Sequence, residues 1–101
     1  MAMEPLSQKE IEDRLRELPG WAVQDGKLAR TFTTGSHFAA AALVMAIAAV
    51  QDELDHHSDL TLGYHSVDLA VNTHSAGGGL TDLDFGLATR VQAIAPAHGA
   101  S

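Results

Sequence analysis

A chain of 101 residues, 46% of them hydrophobic, has the length of one small domain, and a single unit over residues 1–101 is expected. Thirteen acidic against six basic side chains give a net charge of −7, which weighs against any phosphate-backbone partner. The absence of cysteine excludes disulfides, thiolate nucleophiles and cysteine-type zinc sites.

Met1 to Pro5 reads as a frayed leader. Ser7 and Glu10 then form a capping box, with Leu6 and Ile11 at staple spacing around it. Ile11, Leu15 and Leu18 recur as one face of an amphipathic helix, which Pro19-Gly20 stops. Trp21 to Val23 and Lys27 to Thr33 are strand candidates. Asp25-Gly26 lies between them and suits a tight hairpin, whose central positions need positive φ. In the second strand Leu28, Arg30 and Phe32 alternate with Ala29, Thr31 and Thr33, and the pattern does not say which set faces inward.

Ser36 is the expected N-cap of a long helix reaching about Leu54. Phe38, Ala42, Met45 and Ala49 mark one apolar stripe; Ala39, Leu43, Ala46 and Val50 mark the opposite one. A helix apolar all round, in so small a chain, is expected to bury one side on a sheet and the other on a second subunit. Its charge-free run, Phe38 to Val50, is shorter than the roughly 20 residues of a bilayer span. It also lies mid-chain without a basic leader, so no signal peptide is read. A soluble cytoplasmic protein follows as the expectation.

Ser66 to His74 alternates as a half-buried strand, with Val67, Leu69, Val71 and Thr73 on one face and a start as early as Leu62. A glycine-rich connection, Ser75 to Gly79, leads to a second capping box, Thr81 with Asp84. Leu83, Leu87, Val91 and Ile94 form the stripe of a third helix, and Pro96 onwards reads as a tail. Helices set on one face of an antiparallel sheet make an α+β fold.

The chemistry is concentrated between Asp52 and Asp84. His56 and His57 follow a helix C-terminus, His74 closes a strand, and Asp52 and Asp55 lie nearby. Imidazole exchanges protons near neutral pH, so the cluster suits acid–base work. A metal site is the first competitor, although adjacent histidines in extended backbone point apart and no His-Glu-x-x-His helix occurs. No Gly-x-Ser-x-Gly elbow is present, and no basic residue follows Gly77-Gly78-Gly79 to hold a phosphate. Taken alone, Asp84 is explained by helix capping. His37, His65 and His98 are given no role.

The pattern Asp52-x-x-x-His56-His57-Ser58, Tyr64, Thr73-His74 and Gly79-Leu80-Thr81-x-x-Asp84 resembles the signature of the pterin-4a-carbinolamine dehydratases. Leu18-Pro19-Gly20-Trp21 and Arg30-Thr31-Phe32 extend the likeness, which runs from about Leu6 to Ile94. The resemblance implies a four-stranded antiparallel sheet with helices on one face, in the order α-β-β-α-β-β-α. It implies homodimers joined through their sheets, or homotetramers packed through the long helix. The implied reaction removes water from a 4a-hydroxytetrahydropterin to give the quinonoid dihydropterin, with no metal and no redox cofactor. On that likeness His56 is the base and His74 the acid, and His57 assists at the pterin. Asp55, Thr73 and Asp84 surround the ring system, and Asp52 orients a histidine. Ser58 stands where the family usually has proline, Leu60 replaces a usual aromatic, and the glycine loop is one residue longer. Some relatives resemble dimerisation cofactors or assembly factors, and a binding protein on the same scaffold is the rival reading. Retention of all three histidines favours the enzyme.

Overall fold

The computed structural model describes residues 4–101, so residues 1–3 of the expected leader lie outside the described residues. Of that leader Pro5 packs on Gly79, where a Cβ would meet its ring at 2.6 Å, and the adjoining Leu6 N–H donates to Leu80 O at 2.7 Å. Helix α1, Gln8–Leu15, carries the expected reciprocal cap. Ser7 Oγ accepts from Glu10 N–H at 3.2 Å and Glu10 Oε1 accepts from Ser7 N–H at 3.0 Å. The Ser7 amide, helped by its hydroxyl, holds the Glu10 carboxyl below its ordinary value. The cap is therefore present above the usual carboxylate range and lost as pH falls through the lowered value. The helix ends at Leu15, earlier than Pro19-Gly20 suggests. Leu18 is carried into the core by a tightened last turn.

Strands β1, Ala22–Gln24, and β2, Lys27–Thr33, form the hairpin, with Asp25 at φ 51° and Gly26 at φ 78°. Strands β3, Asp59–Leu62, and β4, Ser66–Val71, complete an antiparallel sheet in the order β1-β2-β4-β3. The register pairs Leu28 with Val71, Phe32 with Val67 and Leu60 with Leu69. This settles the ambiguity in β2: Leu28 and Phe32 are fully buried, so their set faces the helices. Arg30 belongs to that set and turns its guanidinium over the Phe32 ring, 4.3 Å from the centroid. Burial lowers its pKa from the ordinary value, and its Nε is buried without a partner. Gly20 makes this packing possible: φ is +90°, and a Cβ there would lie 2.8 Å from Arg30 Nε.

Helix α2, His37–Leu54, begins at the Ser36 cap and lays Ala40, Leu43, Ile47, Val50 and Gln51 into the core. At 18 residues and mean hydropathy 1.3 it has the length and composition of a short membrane span. Leu43 and Ile47 are nevertheless completely buried within the domain. Helix α3, Asp82–Ile94, adds Phe85, Leu87, Ala88 and Val91 to the same core. Trp21 links β1 to it, donating from Nε1 to Gln92 Oε1 at 2.9 Å while its ring meets Phe32 edge-on. The observed order, α-β-β-α-β-β-α, is the expected one.

Three local expectations are corrected. Strand β4 stops at Val71, and His74 opens a 3₁₀ turn, His74–Ala76, because Gly77 takes a left-handed φ of 67° and closes it. Leu83 is 40% exposed, and its place in the buried stripe is taken by Phe85. The segment after Pro96 is no loose tail. It forms a 3₁₀ helix, Ala95–His98, and Ser101 exchanges two main-chain hydrogen bonds with Thr33, both 3.0 Å.

Candidate active site

Helix α2 ends in a turn that itself delivers the histidine doublet. Asp55 adopts left-handed φ and ψ of 51° and 42°, and His56 N–H then reaches back to Gln51 O at 3.1 Å. This bond, with Asp55 N–H to Asp52 O at 3.3 Å, is the Schellman arrangement that usually places glycine at the left-handed residue. An aspartate there accepts some backbone strain, and in return presents a carboxylate at the rim.

Opposite, α3 starts at Thr81, whose neighbourhood is a chain of donors ending on one carboxylate. Asp84 is completely buried. Its Oδ2 accepts from Thr81 N–H at 2.9 Å and from Thr73 Oγ1–H at 2.7 Å. Thr73 Oγ1 in turn lies 2.8 Å from Thr81 Oγ1, which accepts from Leu83 N–H. With Oδ2 receiving two donors, Asp84 is an acceptor throughout. The contact between His56 Nε2 and Asp84 Oδ1, 2.7 Å, therefore places the proton on Nε2. The basic lone pair of a neutral His56 then lies on Nδ1. Among the described residues Arg30 Nε is the sole buried polar side-chain atom without a partner. Nδ1 of His56, which has no partner among the described residues, is thus open to solvent. His57 repeats the scheme at the surface, with Nε2 2.9 Å from Asp52 Oδ1.

His56, His57 and His74 all line one cleft of about 630 Å³, together with Asp55 and Thr73. Two expected residues are not on its wall. Asp52 is exposed behind His57, bonded to its Nε2, and Asp84 is buried beneath His56. The cleft also takes in Ser58, the departure from the family's usual proline, and Lys27, Asp59, Asn72 and Leu83, which the sequence reading does not place there. Lys27 and Asp59 pair across the rim at 3.0 Å, a contact that needs β2 and β3 to flank β4 on its two edges. No sequence signal marks it. Among the described residues no three His, Asp or Glu side chains converge as ligands for one metal ion.

Fold and cleft together define a small α+β protein whose histidines, two of them tied to carboxylates, open to solvent at one end of the sheet. The profile of the family described as pterin 4 alpha carbinolamine dehydratase matches residues 4–94, and the chain belongs to that family. A relative from Streptomyces avermitilis, provisionally named a pterin-4-alpha-carbinolamine dehydratase, is 66% identical over 101 residues and all of both chains. A crystal structure from Brucella melitensis, described as a transcriptional coactivator/pterin dehydratase, superposes with TM-score 0.84 at 32% identity. That match covers 90% of this chain and 98% of the other. A pterin dehydratase-like protein identified as a RuBisCO assembly factor shares the fold at TM-score 0.63 and 23% identity, over 74% and 88% of the two chains.

Proposed function

We propose that this protein dehydrates a 4a-hydroxytetrahydropterin by general acid–base catalysis, in the cytoplasm. The observation that carries the reading is the opening of His56, His57 and His74 onto one cleft, with Asp84 locking the His56 tautomer. Elimination needs a proton delivered to the C4a hydroxyl oxygen and another taken from N5. The C4a–O bond breaks as water leaves, and the N5 electrons form the C4a=N5 bond of the quinonoid dihydropterin. No electrons are exchanged with a second molecule, so the proposed reaction needs no redox cofactor, and both proton transfers are assigned to imidazoles rather than to a metal.

His56 Nδ1 suits the base, because Asp84 stabilises the imidazolium that forms. His74, exposed and without a side-chain partner among the described residues, suits the acid. His57 would hold the pterin, with Asp55 and Thr73 at its edge. Positioned acid–base groups of this kind supply about 10²–10⁴-fold, and the N5 lone pair provides the remaining push. The test is dehydration of a 4a-hydroxytetrahydropterin by purified protein, followed against the uncatalysed rate. Acceleration is expected; a rate equal to the buffer control refutes the proposal.

The apolar face of α2 supports a homo-oligomer as part of the same reading. Phe38 is 83% and Met45 75% exposed, one helical repeat of seven apart on the side turned from the sheet. Paired copies of this face would remove that surface from water, while pairing of the open β3 edge would join two sheets. Phe38→Glu with Met45→Glu is expected to lower the mass found by sedimentation to that of a smaller assembly. An unchanged mass would exclude the helix as the interface.

A further inference from the structure

One residue, Gln51, holds both ends of the loop that carries the histidine doublet. Its main-chain carbonyl accepts His56 N–H at 3.1 Å, which fixes the start of the loop. Its side-chain Oε1 accepts Ser58 N–H at 3.0 Å, and Ser58 Oγ donates to the same oxygen, which fixes the end. A main-chain N–H can only donate, so the amide oxygen and not its nitrogen faces the loop. Gln51 is 4% exposed and continues the core face of α2 after Ala40, Leu43, Ile47 and Val50. An apolar side chain would satisfy that position. A buried amide costs stability when unpaired, so its presence here points to the loop it binds. His56 and His57 lie between the two anchor points, and each directs its Nε2 to a carboxylate on a different element. Loop placement thus decides whether both histidine–carboxylate hydrogen bonds form together.

We propose that Gln51 is a positioning residue, and that its clamp on Ser58 sets His56 for proton transfer and His57 beside it for holding the substrate. The inference rests on the dehydratase reading for its kinetic consequence, but not for its geometric one. In Gln51→Leu the apolar side chain fills the core site while the tether is lost. The melting temperature is expected to hold or rise, kcat to fall about tenfold or more, and KM to change less. Ser58→Pro removes the N–H and the hydroxyl and strands Oε1, so kcat falls there too. The double variant leaves no orphaned acceptor, and the proline ring stiffens the loop in place of the hydrogen bonds. Its kcat is expected to return to within about threefold of the parent, a non-additivity that independent sites do not give.

Imidazole ¹⁵N resonances of His56 and His57, recorded without substrate, supply a readout independent of turnover. Shifted or broadened signals in Gln51→Leu uphold the clamp. Unmoved signals overturn it, as does a double variant no more active than the worse single one. Should the parent lack dehydratase activity, that reading falls alone, and the resonances still decide the role of Gln51.

Discussion

Asp84→Asn is expected to leave the protein folded and to remove most of its dehydratase activity. Three donors face the native carboxylate: Thr81 N–H, Thr73 Oγ1–H and, through Nε2, His56. An asparagine has one acceptor oxygen, and that oxygen goes to the capping side, where the main-chain N–H cannot turn away. Its amide nitrogen then faces His56, which can answer only by presenting a lone pair at Nε2. The proton moves to Nδ1, and the group proposed as the base becomes a donor. Loss of the correct tautomer in a carboxylate–histidine pair costs up to about 10⁴-fold in rate elsewhere, and a fall of 10²–10⁴-fold is expected here. Asp84→Ala goes further. It leaves buried donors unpaired and removes the Asp84 half of the α3 capping box together, at a cost of about 3–5 kcal/mol by analogy with broken buried pairs. Urea titration and initial rates on both variants separate the effects. Parent-like turnover in Asp84→Asn would show that His56 does not act through Nδ1.

The double duty of Asp84 also shows where the sequence stopped being informative. As the fourth residue of Thr81-x-x-Asp84 it was fully accounted for by capping, and Oδ2 does cap. That Oδ1 also receives an imidazole 28 positions away depends on α2 and α3 packing side by side, which no local pattern encodes. Local devices were legible: the Ser7–Glu10 box, the Asp25-Gly26 turn and the Ser36 cap each act within a few residues. The family resemblance supplied the four-stranded architecture that β4 alone did not reveal. Residues whose role depends on strand register were missed. Lys27 reaches the cleft because β2 and β3 both flank β4, and Asn72 because β4 ends one residue before it. The docking of Ser101 against Thr33 escapes the sequence for the same reason: mostly small residues after a proline carry no signature of a partner 68 positions away.

His56→Ala and His74→Ala, made singly and together, give the sharpest test of concerted proton transfer. The two rings line the same cleft but share no hydrogen bond; His56 is anchored to α3, and His74 stands free at the start of its 3₁₀ turn. Nothing structural couples their stabilities, so the double variant should melt near the sum of the two single effects, that of His56→Ala being the larger because it strands the buried Asp84 carboxylate. Kinetics should behave otherwise. If protonation of the leaving oxygen and removal of the N5 proton occur in one transition state, losing either ring already forfeits most of the assistance. Each single variant is then expected to lose about 10²–10⁴-fold in kcat, and the double little more than the worse single, as groups acting as one unit do. Losses that multiply would mean that the two transfers occur in separate steps. A single variant of either histidine with the parent's kcat would remove that residue from the chemistry. His57→Ala is the internal comparison: its ring is held by an exposed carboxylate, and its loss should raise KM more than it lowers kcat.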